Sequence, residues 1–475
     1  MDAGVQVASE PATPRRNARG IARREEILDA AGALFADVGF GGVSLRDIAA
    51  RAGLSHPGLL RHFSSKDELL LALLDRYEVA NEAWLEAVDA VGRLGGSGED
   101  AKLVAGPQSL VRLAERNETL PGYVALFTAL AGEATSVAHP AHPHFRERYA
   151  RLRRLTTAQF ETALAAGSLR RDVTPADEAV RLAAAWDGLQ LQSLYEPELI
   201  AVPERLRAHL AWLAGSGERV LPDASAAAGG AAEAEAEAGA GGAVGVGELG
   251  PTTRSLIAAA AAAQPDADDT AGYAPGRARR IRIVDDAMSL FAAGGFTATS
   301  LQEVADKVGI TKSTLLYHFR SKDELLLAVL DRRDQFSIAA IPRFAGTARE
   351  RLDSLVDGAR RNAEQPGLVE LYSVLAGEAT SPDHPGHAFF RARFQMMRSF
   401  LHETFADLER EGHLAAGSDP EREAVWFLAL WDGLQFQWLY DRGAVDIAGQ
   451  LRGHLDGIVV DPPEISGPGT ASHPS

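Results

Sequence analysis

GLSHPGLLRHFSSKDELL at residues 53–70 returns as GITKSTLLYHFRSKDELL at residues 309–326, within a chain of 475 residues. Each string opens on a glycine that ends a short apolar run, and Ser55 or Thr311 follows where a hydroxyl caps a new helix. Upstream, Ser44 and Ser300 stand as N-caps with Asp47 or Glu303 at the third helical position, which completes a capping box for a short second helix. Further back, Ile27, Ala31, Leu34 and Phe35 recur at helical spacing, as do Ile283, Ala287, Leu290 and Phe291, in a first helix expected to end at Gly39 or Gly295. Downstream, Lys66-Asp67-Glu68 and Lys322-Asp323-Glu324 open a long fourth helix. Two short helices across a tight glycine turn form a helix-turn-helix, so each copy is expected to be all-helical.

The repetition extends over whole domains. Glu25 to Asp75 aligns without a gap on Ile281 to Asp331, with 26 of 51 positions identical at an offset of 256. A second block recurs at an offset of 245: LAGEATS ends at Ser136 and Ser381, and WDGLQ begins at Trp186 and Trp431. Between the copies, residues 215–276 are dominated by Ala, Gly, Glu and Asp and read as a flexible linker, about 43 Å in root-mean-square span. The expected organisation is a disordered basic arm (1–20), a helix-turn-helix domain (21–66), a helical C-terminal domain (67–214), the linker, a second helix-turn-helix (277–322), a second helical domain (323–460) and a disordered tail (461–475).

Composition narrows the function. The net charge is -17, yet residues 15–76 hold ten Lys or Arg against eight Asp or Glu, and residues 277–333 hold ten against seven. Positive potential is thus confined to two short stretches, as localised DNA contact requires and non-specific coating does not. The chain has no cysteine, which removes thiolate zinc sites and a cysteine nucleophile and suits a reducing compartment. No apolar run long enough to cross a membrane occurs, so a cytoplasmic location without membrane contact is expected.

The two quoted strings, with the apolar first helix and the capped second helix, closely resemble the DNA-binding signature of the tetracycline-repressor (TetR) family. The resemblance implies an all-α fold of two tandem TetR-like units, each a three-helix helix-turn-helix domain plus a helical ligand-binding and dimerisation domain. It also implies a double-stranded DNA operator as partner, with the N-terminal residues of each recognition helix at base edges. In the first copy these are His56, Pro57 and Gly58, and in the second Lys312, Ser313 and Thr314. Arg61 with His62, and Tyr317 with His318, lie one turn further on; the capping Ser44, Ser55, Ser300 and Thr311 belong to the same set. Lys66 and Lys322 match the family's phosphate-contacting lysine, a positioning role. One departure is plain: Leu60 and Leu316 stand where many members carry a phosphate-contacting Tyr. Leu59, Phe63, Leu315 and Phe319 read as core. The arginines before each first helix (15, 16, 19, 23 and 24; 277, 279, 280 and 282) read either as an arm for the minor groove or as a solubilising tail.

The C-terminal blocks are less diagnostic. Glu133 and Glu378 either line an effector pocket or satisfy a backbone or His donor at a helix end. Trp186, Asp187 and Gln190, with Trp431, Asp432 and Gln435, begin apolar helices and read first as interface or core, with pocket lining as the alternative. His139, His142, His144, His384 and His387 have metal-compatible spacing, but their prolines argue for a loop, so neither a metal nor a cofactor is expected.

The combined reading is a ligand-responsive transcriptional repressor with an unknown small-molecule effector, acting as a single-chain pseudo-dimer on an operator with unlike halves. A dimer of tandem chains keeps the function and changes the assembly. The competing classes are a metal-dependent enzyme and a helical scaffold; no nucleophile and base stand at convincing spacing, so an enzyme is not expected.

Overall fold

The computed structural model describes residues 15–95, 107–215, 274–339, 346–365 and 367–461. Segments expected to be the linker core (216–273), the start of the basic arm (1–14) and most of the tail (462–475) lie outside them. Among the described residues there are eighteen α-helices and no strand. The first copy contributes α1 (Arg15–Gly42), α2 (Leu45–Arg51), α3 (His56–Leu59), α4 (Lys66–Gly95), α5 (Gln108–Thr119), α6 (Tyr123–Glu133), α7 (His142–Ala165), α8 (Pro175–Tyr195) and α9 (Val202–Leu213). The second repeats the order as α10 (Ala274–Ala298), α11 (Leu301–Val308), α12 (Lys312–His318), α13 (Lys322–Ala339), α14 (Ala348–Glu364), α15 (Leu368–Glu378), α16 (His387–Arg410), α17 (Pro420–Tyr440) and α18 (Ile447–Ile458).

Each first helix breaks where its glycine falls. Gly39 and Gly295 take φ of 78° and 76°, in the left-handed region that side-chained residues avoid, and a last helical turn follows each. The capping boxes form: the Asp47 amide donates to Ser44 Oγ (3.3 Å) while the Ser44 amide donates to the Asp47 carboxylate (2.9 Å), with Ser300 and Glu303 doing the same. The basic stretch departs from expectation, because residues 15–20 lie within α1 and 277–282 within α10 rather than in arms ahead of the helices.

The recognition helices differ in length. α12 runs seven residues to His318, whereas α3 stops after four and residues 60–62 continue as turns, with the Arg61 amide reaching back only to Gly58 O (3.4 Å). Gly58 is the reason the sequence offers, since glycine costs about 1 kcal/mol relative to alanine in a helix and α3 has few bonds to offset it. Tertiary packing holds both helices regardless: Leu59 and Phe63, like Leu315 and Phe319, are buried against the first and fourth helices.

The copies meet along α8 and α17. At their closest approach, a Cβ on Gly188 would lie 1.9 Å from Ala429 O, and one on Gly433 1.7 Å from Ala184 O, so only glycine allows this spacing. Crossed hydrogen bonds flank the contact: the Tyr195 hydroxyl donates to Ala376 O and the Tyr440 hydroxyl to Ala131 O, both at 2.7 Å. Two buried pairs, His209 with Glu178 (2.7 Å) and His454 with Glu423 (3.2 Å), sit near the same seam, and His209 stacks on Trp426 with centroids 3.8 Å apart. The helix-turn-helix units also touch, Gly41 facing Ala298 and Gly42 facing Thr297.

Candidate functional site

The residues expected at the DNA lie on one exposed edge of each copy. In the second, Thr311, Lys312 and Ser313 are exposed, Thr314 and His318 half-buried, and Tyr317 is 85% exposed. In the first, Ser55, Pro57 and Arg61 are exposed, with His56, Gly58 and His62 half-buried. Ser55 Oγ accepts from the Gly58 amide (3.2 Å) and Thr311 Oγ1 from the Thr314 amide (3.1 Å), so each cap fixes the N-terminal turn carrying the residues expected at base edges. Leu60 and Leu316 are exposed, offering an apolar surface where a Tyr hydroxyl would otherwise stand.

Lys66 and Lys322 are more deeply engaged than a surface contact implies. The Lys66 ammonium donates to Phe40 O (2.8 Å) and Val43 O (2.9 Å) and lies 4.1 Å from the Phe40 ring centre; Lys322 donates to Thr297 O (3.1 Å) and lies 4.3 Å from the Phe296 ring. Burial lowers both ammonium pKa values. They tie the fourth helix to the broken end of the first. Arg24 has a comparable role that the sequence pattern did not reveal: it donates to His62 O (2.8 Å) and stacks 3.9 Å over Phe63, and Arg280 does the same with His318 O and Phe319. These two arginines are staples of the domain, not members of a free arm.

Glu133 and Glu378 satisfy backbone donors at a helix end, the second of the two roles the sequence allowed. Glu133 accepts from the Phe40 amide (3.2 and 3.1 Å), and Glu378 from the amides of Phe296 (2.7 Å) and Thr297 (2.5 Å). Neither is among the residues that line the cavity of the first copy. Burial, helped by the charge of Glu378, pushes the Glu133 carboxyl up to about 8. The carboxylates join each helical body to the base of its reading head.

The histidines disperse. His142 Nδ1 lies 2.8 Å from Ala134 O and His387 Nδ1 2.9 Å from Ala379 O, while His144 faces Glu78 at 3.2 Å. His139 and His384 Nδ1 accept the amides of Ala141 and Gly386, and burial lowers both rings to about 4. Among the described residues no group of three potential ligands converges on one point.

A cavity of about 40 Å³ opens in the first copy between α5, α6, α7 and α8. Trp186, Asp187 and Gln190 line it, so the WDGLQ segment faces a pocket here as well as packing. Its other polar walls, Asn117, Tyr123, Thr128, Arg148, Tyr149 and Thr156, lie outside any motif, and only packing brings them together; Phe436 arrives from α17 of the other copy. Burial raises the Asp187 carboxyl to about 6 against the opposing charge of Arg148.

Comparison with known proteins agrees with this geometry. The family described as bacterial regulatory proteins, tetR family, matches residues 27–73 and 283–329, and the BetI-type transcriptional repressor C-terminal family matches residues 113–216 and 348–460. ArpR of Pseudomonas putida, a probable HTH-type transcriptional regulator, is 26% identical over 192 residues, covering 37% of this chain and 88% of that protein. The HTH-type transcriptional repressor KstR2 of Rhodococcus jostii is 42% identical over 71 residues, 14% of this chain and 33% of its own length. A solved structure, a putative transcriptional regulator from Saccharomonospora viridis in complex with choline, is 26% identical with a TM-score of 0.33, covering 38% of this chain and 98% of that one. Both family matches occur twice, in the same order: the chain belongs to the TetR family of bacterial regulatory proteins and carries the family's subunit in two tandem copies.

Proposed function

We propose that the chain is an effector-responsive, sequence-specific repressor whose two copies act as the halves of a pseudo-dimer on an operator with unlike half-sites. The observation that carries this is chemical: both copies expose a base-facing edge, but one presents His56, Pro57, Gly58 and Arg61 and the other Lys312, Ser313, Thr314 and Tyr317. Identical half-sites cannot satisfy both edges equally, because discrimination rests on matched donors and acceptors. The close packing of α8 on α17 supports pairing within the chain, since these helices belong to the domain that the family resemblance makes the dimerisation domain. Repression is supported by the match of both C-terminal domains to repressor domains.

The test is selection from random DNA combined with sedimentation of the free protein. A non-palindromic site bound by a particle near the 50.5 kDa chain mass supports the reading. A perfect palindrome, or a particle of twice that mass on tandem sites, replaces it with a dimer of tandem chains. Deleting the gene should raise transcription from the selected site, and a fall would make the protein an activator.

A further inference from the structure

We propose that the chain has one working effector cavity, in the first copy, which takes a small neutral hydroxylated aromatic molecule, and that the second copy's equivalent is closed by its own Tyr372. This rests on the effector-responsive reading above. At the constant offset of 245 the cavity walls can be compared position by position within one molecule. Where the first copy has Phe127, Thr156 and Ala183, the second has Tyr372, Leu401 and Leu428. The Tyr372 hydroxyl donates to the Asp432 carboxylate (3.0 Å), with the Arg333 guanidinium 4.3 Å from its ring centre. Asp432 and Gln435 are accordingly buried, 3% and 6% exposed, whereas their counterparts Asp187 and Gln190 are half-buried on the cavity wall. Four changes run the other way, Leu368 for Tyr123, Ser373 for Thr128, Phe394 for Tyr149 and Leu191 for Phe436, but all four are themselves buried and Asp432 stays covered.

The first-copy cavity keeps open the space that Tyr372, Leu401 and Leu428 occupy in the second, where Asn362 Oδ1 is buried and unpaired like Asn117 Oδ1 but has no such space beside it. The Asn117 amide oxygen, in a residue 4% exposed, and the Trp186 indole N–H are buried without hydrogen-bond partners, an acceptor on α5 and a donor on α8 among the residues that line the cavity. Leaving such groups unpaired is costly, so a ligand hydroxyl that donates to one and accepts from the other gains accordingly. Arg148 opposes a cation and Asp187 an anion, which leaves a neutral molecule, and Phe127, Phe145, Tyr149 and Phe436 supply aromatic walls. At about 40 Å³ the cavity holds two or three waters, so a ring enters only as the walls part. Because Phe436 belongs to α17, that movement reaches the seam between the copies.

The test is calorimetric titration of the full chain with phenol and with 1-naphthol, alongside operator binding. One molecule per chain, weakened at least tenfold by Ala183→Leu, is expected; Tyr372→Phe with Leu428→Ala should raise the stoichiometry to two. Two sites in the native chain, or one that survives Ala183→Leu and is lost in the double variant, overturns the proposal, as does no binding of either probe. Should Ala183→Leu fail to fold, Thr156→Leu fills the same space. Failure of the repressor reading is separate: it shows as absence of any specific operator, whereas an intact operator complex released by some other compound sinks only this inference.

Discussion

Lys66 and Lys322 pin the start of a fourth helix to backbone carbonyls at the end of a first, and this changes what their removal measures. Lys66→Ala strips its ammonium partner from two carbonyls, so it should cost about 1–3 kcal/mol of stability as well as any phosphate contact. Arg61 and Lys312 are exposed on the edges proposed to face DNA and support no fold contact of that kind. Arg61→Ala and Lys312→Ala should therefore leave the melting temperature unchanged and each weaken operator binding roughly tenfold to a hundredfold, with relaxed sequence preference at a different half-site. Mobility shift with variant operators checks this, and an equal effect of both changes on one half-site would refute the assignment of one copy to each half. The capping boxes and the turn glycines were legible in the sequence because their partners lie within four residues. The Arg24 and Arg280 staples were not, because their acceptors lie 38 residues away.

At the scale of elements, the helix pairs α8–α9 and α17–α18 each hold a buried carboxylate beside a histidine. Burial alone would raise Glu178, but the hydrogen bond from His209 and the charges of His209 and Arg181 bring it down to about 2; His454 and Arg422 do the same for Glu423. A carboxyl whose folded pKa lies below its unfolded value near 4.5 stabilises the fold above that value, and the stabilisation is lost as the pH falls toward 2. Glu133, raised to about 8, works in the opposite sense, but only as the pH rises from about 4.5 toward 8. Urea unfolding compared between pH 4.5 and pH 3 should thus show a stability loss that Glu178→Gln and Glu423→Gln flatten. An unchanged slope in both variants would mean that the pairs contribute nothing to acid lability. Helix identity was legible from apolar periodicity, whereas helix length in the reading heads depended on Gly58 and on burial of Phe63 and Phe319.

For the molecule as a whole, the two copies hold together through α8 and α17, the crossed Tyr195 and Tyr440 bonds, and the touching ends of α1 and α10. Such an interface should persist without the covalent connection. A protease site inserted after residue 240, once cut, should leave the halves co-eluting and bound to the same operator. Separate elution would show instead that the connecting chain supplies the effective concentration that keeps the copies paired.

What the sequence determined by itself was local or repeated: the capped helices, the helix-turn-helix and the duplication, all readable because each rests on residues close in the chain or on a constant offset. It also presented Glu133, Glu378 and the WDGLQ segments as pocket or packing without deciding between them. Only the tertiary structure decided, because which wall a buried side chain faces depends on helices far apart in sequence. Those contacts put Glu133 and Glu378 on backbone amides and Trp186, Asp187 and Gln190 on a cavity, and they brought Phe436 from one copy into the other.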